Sequence, residues 1–286
     1  MSSLIETAGA LRPMLREQAA EIEQSRRLTP TVFDALLGMD AFRLQLGENF
    51  AGPGADPISY LRVIEELSRG DASSGWCAMV GSESSACVNA YLAPDVVESM
   101  IVDDPRAVVA FTVVGSGIGE KTSDGYIVKG RWRFASGCRH ATWLSCLCVV
   151  TDAGKPVLRE NGTPLTRIVF ARDAEAILHD TWNVSGLRGT ASDDFELDNV
   201  FVPFEHTFDF AGPPLDASPA WRIPVPLRLA MSKAAAVCGI ARGAMDALVP
   251  MLDRKPLAGA VPSRAAPRTH LMRAAAGAAL EGGRAL

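Results

Sequence analysis

The apolar residues change their period twice along this chain, and that restricts it to a helical stretch, a β stretch and a second helical stretch, in that order. From Leu4 the positions Leu11, Leu15, Ala19 and Ile22 return every three or four residues, which puts them on one stripe of a helix with Glu6, Arg12 and Glu23 elsewhere. Thr29-Pro30 is an N-cap and first-turn pair ahead of Val32, Phe33, Leu36 and Leu37, and Gly38 is the stop. Asp56-Pro57 repeats the start signal, with Leu61, Ile64 and Leu67 as the stripe and Gly70 as the stop. The runs from Trp76 to Tyr91 and from Pro94 to Ile101 continue the idiom, so residues 1–105 predict an N-terminal helical domain.

Beyond Pro105 the pattern becomes that of strands. Arg106–Val113 is rich in β-branched residues, and Tyr126–Ser136 alternates, with Tyr126, Val128, Trp132, Phe134 and Ser136 on one face and Lys129, Arg131 and Arg133 on the other. Segments 141–151, 167–178 and 195–202 read as further strands between turns at Asp124-Gly125, Asn161-Gly162 and Gly186. Residues 106–212 predict a compact, barrel-like antiparallel β domain. Prolines 213, 214, 219, 224 and 226 mark a stiff linker, after which Leu227–Leu248 and Thr269–Leu286 are helical in period. Two helices cannot enclose a bundle core, so the 213–286 domain is expected to be incomplete, being either part of a longer chain or packed against another subunit. The fold class is α+β.

Composition narrows the partners. With 48% hydrophobic and 21% charged residues the chain is globular, and a net charge of −5 without a long basic run favours a small neutral or anionic molecule over nucleic acid or an anionic membrane. Glu6, Arg12, Arg16 and Glu17 break the N-terminus as a signal peptide, and Lys233 and Arg242 break the most apolar later stretch, so no membrane span is expected. Six cysteines without a ladder of close pairs read as reduced thiols of a cytoplasmic protein.

Three places could carry chemistry. Gly115, Gly117 and Gly119 lie in a stretch, 114–124, that reads as a loop between strands. A dinucleotide fingerprint would need a helix to follow and a strand follows, so a glycine-rich turn is the better reading. Trp132, Phe134 and Ser136 share a face, which suits a flavin ring but equally a β-domain core. Arg188 and Thr190, between Gly186 and Asp194, put a cation and a hydroxyl on a tight turn, either as a ligand contact or as an interdomain lock. His140, His179 and His206 match no metal spacing, and Glu65 and Glu66 read as solvated helix positions, so no metal is expected.

Three motifs in order, Arg69-Gly-Asp-Ala-Ser-Ser-Gly-Trp76, Gly130-Arg-Trp-Arg-Phe-Ala-Ser-Gly137 with His140 to Trp143 behind it, and Trp182–Ser192 leading to Asp198-Asn-Val-Phe-Val-Pro203, resemble the acyl-CoA dehydrogenase superfamily. Within it they resemble the flavin-dependent monooxygenase branch typified by the oxygenase component of p-hydroxyphenylacetate hydroxylase. The resemblance implies flavin, FAD or FMN, held between the β and C-terminal domains of a homotetramer. It also implies a separate flavin reductase and an aromatic or polycyclic small-molecule substrate. By motif position it places Ser136, as the catalytic hydroxyl, at the flavin N5 edge and Phe134 against the ring. Phe111 and Thr112 fall near the pyrimidine end, with Trp132 and Arg188 in support of the site or of the substrate.

Two departures accompany the resemblance. The carboxylate that dehydrogenases draw from the C-terminal domain has no evident counterpart, and where the hydroxylases carry a histidine after the tryptophan motif this chain reads Gly81-Ser82-Glu83-Ser84. The alternatives to a hydroxylase are therefore an FAD-dependent acyl-CoA dehydrogenase acting on a CH–CH bond and a non-catalytic fragment.

Overall fold

The computed structural model describes residues 2–254 and 267–285, so Leu286 of the last expected helix lies outside the described residues. The helical stretch forms α1 (Ser2–Ser25), α2 (Pro30–Gly38), α3 (Pro57–Gly70), α4 (Ala72–Tyr91) and the short α5 (Pro94–Val97). The capping signals act as their chemistry requires. The Thr29 hydroxyl accepts from the Val32 N–H, and the Asp56 carboxylate accepts from the N–H groups of Ile58 and Ser59, in each case meeting helix donors that have no partner within the helix. α4 starts four residues earlier than its apolar run, because Asp71 caps it through the Ser74 N–H at 2.7 Å.

The β stretch is one sheet in the order β7-β8-β3-β2-β4-β6-β9, with β1 and β5 also on β4. Its strands are β1 (Val109–Thr112), β2 (Val114–Lys121), β3 (Gly125–Arg133), β4 (Trp143–Asp152), β5 (Lys155–Pro156), β6 (Thr166–Arg172), β7 (Ile177–His179), β8 (Asp194–Pro203) and β9 (Thr207–Phe208). Pairing is mostly antiparallel, but β1 and β2 run parallel to β4 as two segments of one bent strand, with the bend at Val113.

Three sequence expectations are corrected. The glycines at 115, 117 and 119 lie on strand β2, not in a loop, and pair with β3 throughout. Glycine is needed there for room: a Cβ at Gly117 would lie 2.0 Å from the indole of Trp132, which fills the space over the strand. The expected 167–178 strand is broken by a turn at Asp173–Glu175. Glu65 is buried, not solvated, and is paired with Arg284 at 3.1 Å and Arg242 at 3.5 Å; Glu66 meets Arg12 at 3.2 Å.

The C-terminal stretch forms α6 (Val225–Arg254) and α7 (Pro267–Ala285). α6 lies close on α3 because Gly239 and Gly243 face the carbonyls of Glu65 and Arg69, where a Cβ would sit 2.2 and 2.7 Å away. By length and hydropathy alone Val225–Leu252 could cross a membrane. Ion pairs from Lys233 to Glu83 and from Asp246 to Arg69 and Arg16 instead fasten it to the helical domain.

Candidate functional site: a hydroxyl relay beside an open apolar wall

Strand β3 ends at Arg133, and the chain then turns sharply through Phe134 at φ 62° and Gly137 at φ 84°. A positive φ at phenylalanine is costly, and here the surrounding backbone holds it: the Ala135 N–H donates to Asp193 and the Gly137 N–H to Thr190. The turn separates three side chains that simple alternation had placed on one face. Trp132 is fully buried, donates its indole N–H to the Leu147 carbonyl at 2.8 Å and stacks on Phe195 at 5.3 Å between centroids, so it is a core residue of the sheet. Phe134 points outward and is 50% exposed. Ser136 turns back towards the helical domain and is 8% exposed.

Ser136 sits in a chain of hydroxyls. The Trp76 indole N–H donates to its Oγ at 3.1 Å, its Oγ lies 2.7 Å from that of Ser192, and Ser192 lies 2.6 Å from Thr190 Oγ1. The Thr190 hydroxyl donates to the Leu187 carbonyl, which can only accept. With every bond made at once, that last step sets the direction of all the others. Ser192 donates to Thr190, Ser136 donates to Ser192, and the Ser136 oxygen is left with a lone pair beyond the one Trp76 uses. Trp76 and Ser192 each occur in a motif quoted above, but their convergence on Ser136 joins residues far apart in sequence and has no sequence signal of its own.

Register places Val114 beside Arg133, so Val113 and Phe134 follow at the same end of the sheet, all three substantially exposed. Thr112 braces this end, donating to the Arg133 carbonyl at 2.6 Å and accepting from the Val114 N–H at 3.1 Å. Phe111 faces the other way and meets Phe210 edge-on. Arg188 is a lock between α1 and the β stretch: its side chain donates to the carbonyls of Glu23 and Val184, and its own N–H to the Glu23 carboxylate. Thiolate chemistry has no foothold here. Burial pushes the Cys138 thiol up to about 12 and Cys77 still further, so both stay protonated and inert near neutrality.

Phe134, Val113 and Val114 are exposed apolar side chains at one end of the sheet, and Ser136, two residues beyond Phe134, is a buried hydroxyl; apolar surface together with a few hydrogen-bonding groups is what a planar heterocycle requires. Residues 7–93 match the family model for the acyl-CoA dehydrogenase N-terminal domain. The chain is 30% identical over 249 residues to the oxygenase subunit HsaA of a flavin-dependent monooxygenase from Rhodococcus jostii, covering 84% of this chain and 63% of that protein. It superimposes on the crystal structure of 3-HSA hydroxylase from Rhodococcus sp. RHA1 with a TM-score of 0.86 at 26% identity, covering 97% of this chain and 72% of that one.

The chain has the acyl-CoA dehydrogenase fold.

Among proteins of that fold it is similar to oxygenase components. Another such relative is the FADH2-dependent resorcinol hydroxylase oxygenase component of a Rhizobium species, 27% identical over 268 residues, or 90% of this chain and 64% of that one. The chain thus spans just under two thirds of the length of these two curated relatives.

Proposed function

We propose that the chain belongs to the oxygenase component of a two-component flavin-dependent monooxygenase. It takes reduced flavin, FAD or FMN, from a separate reductase and with oxygen hydroxylates an aromatic or polycyclic small molecule, working in the cytoplasm as a homotetramer. The observation that carries this reading is the exposed apolar end of the sheet at Phe134, Val113 and Val114, with the Ser136 hydroxyl two residues beyond Phe134, in a chain similar to oxygenase components. When bound, reduced flavin supplies the oxygen-activating chemistry. Phe134 walls the ring, and Thr112 sets the end of the sheet that meets the pyrimidine side, with Phe111 behind it. Ser136 acts at the N5 edge. Its proton is committed to Ser192, so it offers that edge a lone pair, which suits the N–H of a reduced ring. Trp76 from α4 covers Ser136 and keeps water from it. Trp132 and Arg188 hold the frame without touching the ring.

A dehydrogenase would need a free carboxylate as base. In the C-terminal stretch Asp246 is taken by Arg69 and Arg16, and Glu281 by Arg242 and Arg284, which favours the hydroxylase. The test is an anaerobic titration of reduced FAD and reduced FMN into wild type, Phe134→Ala and Ser136→Ala. Loss of the ring contact should weaken flavin binding roughly tenfold or more in Phe134→Ala, with a smaller loss in Ser136→Ala. Affinities that both substitutions leave unchanged would sink the assignment.

A further inference from the structure

A proline interrupts each of two helices beside the same hollow. Pro13 lies inside α1 and Pro250 inside α6, and both line a cavity of about 500 Å³ together with Arg12, Arg16, Arg69 and Val249. Proline has no N–H, so Pro13 leaves the Gly9 carbonyl without its helix donor. The Arg12 Nε takes that place, donating to the carbonyl at 3.1 Å. A gap in the backbone ladder thus holds one guanidinium against its own helix.

The donors around the hollow are unequally occupied. Arg69 is fully engaged: its Nε and Nη2 donate to the two oxygens of Asp246 at 2.7 and 3.1 Å, and its Nη1 lies 3.8 Å from Glu66. Arg12 bonds through Nε, and its Nη1 lies 3.2 Å from Glu66. Arg16 reaches Asp246 through Nη2 alone, at 2.6 Å, and its side chain is 47% exposed. Nη2 of Arg12 and both Nε and Nη1 of Arg16 make no hydrogen bond among the described residues. These two arginines sit one turn apart on α1, about 6 Å between Cβ atoms. Charge is uneven as well. The hydrogen bond from Arg69, above all, holds the Asp246 carboxyl below the usual carboxylate range, so it stays ionised. Three guanidiniums therefore meet the two carboxylates of Glu66 and Asp246, and one positive charge is left over in a chain of net charge −5.

We propose that this hollow binds a phosphate dianion, with Arg12 and Arg16 donating to its oxygens. A guanidinium fork matches the oxygens of phosphate in pairs of N–H bonds, and two forks one turn apart hold both of its charges. Asp246 competes with the ligand for Arg16, so the ligand uses the Nε and Nη1 that Asp246 leaves free. Pro13, Val249 and Pro250 offer apolar surface to the organic part of a phosphomonoester, for which the cavity has room. No residue of the hollow belongs to the flavin site proposed above, and the phosphate contact does not rest on that reading.

The experiment is isothermal titration calorimetry of the flavin-free chain at fixed ionic strength and about pH 8, where phosphomonoesters are dianions. The ligands are inorganic phosphate, phenyl phosphate and phenyl sulfate, the last having the shape of phenyl phosphate but a single charge. Phenyl phosphate should bind roughly tenfold more tightly than phenyl sulfate, and Arg16→Gln should weaken it roughly tenfold. Arg62→Gln removes the same charge from an exposed position of α3 outside the hollow and should leave the affinity unchanged. Asp246→Asn removes the competing carboxylate and should tighten binding severalfold. Inorganic phosphate binding as tightly as the ester supports the arginine contacts and makes free phosphate the ligand; tighter binding of the ester makes it a phosphomonoester. Absence of binding by wild type, phenyl sulfate bound as tightly as phenyl phosphate, or equal weakening by Arg16→Gln and Arg62→Gln each overturns the proposal. The wild-type comparison of phosphate with sulfate decides the matter even if a variant does not fold.

Discussion

At Gly117 a single added methyl would collide with the Trp132 indole, whereas at Gly119, two residues along the same strand, it would meet Tyr126 at an ordinary 3.5 Å. Gly117→Ala should therefore cost about 1–3 kcal/mol by overpacking and Gly119→Ala well under that, a contrast that urea midpoints of the two variants will show. His140 gives a second prediction at this scale. Its ring lies between Phe33 and Phe42, its buried Nε2 has no hydrogen-bond partner, and burial lowers its pKa from 6.5 to about 4. The unfolded chain takes up this proton as pH falls below about 6.5, and the folded chain only near 4. The stability that a neutral His140 permits is thus complete above the upper value and is lost towards the lower one, by about 3 kcal/mol. Over that window His140→Leu should lose about 3 kcal/mol less than wild type, as measured by denaturant unfolding at a series of pH values.

Large apolar side chains join α1, α2, α3 and α4, whereas α6 crosses α3 through small residues. The α6–α3 crossing depends on Gly239, where any side chain would press on the Glu65 carbonyl; Gly277 of α7 has nothing within 4 Å. Gly239→Val should lower the melting temperature and open α6 to limited proteolysis. Gly277→Ala should instead stabilise by about 0.5–1 kcal/mol through helix propensity. The caps at Thr29 and Asp56 were legible because side chain and target lie within three residues of each other. The bend at Val113 was not, since it arises when β1 and β2 pair successively with the same edge of β4, more than thirty residues downstream.

For the molecule as a whole, the site depends on the seam between the helical and β stretches. Arg188 bonds across this seam to Glu23, and Trp76 crosses it to Ser136. Arg188→Leu should cost about 1–3 kcal/mol by leaving buried carbonyls without a donor and leave flavin affinity unchanged. A selective loss of flavin binding at intact stability would make Arg188 a ligand contact instead. The same seam explains what could be read in advance about the candidate site. Phe134, Ser136, Thr190 and the motifs around them were found because each is local in sequence; the joining of Ser192 and Thr190 to Ser136, the direction of their proton chain and the ion pair of Glu83 with Lys233 were not, because each depends on segments that meet only after folding.

The chain's own pattern determined the helical, β and helical order and the start signals at Thr29 and Asp56, because periodicity and capping act over a few residues at a time. Only tertiary structure decided that Trp132 belongs to the core while Phe134 faces out, that Gly115 and Gly117 make room for an indole, and that Trp76 of α4 meets Ser136. Those outcomes depend on which surfaces compete for the same space, and that competition exists only between elements already brought together.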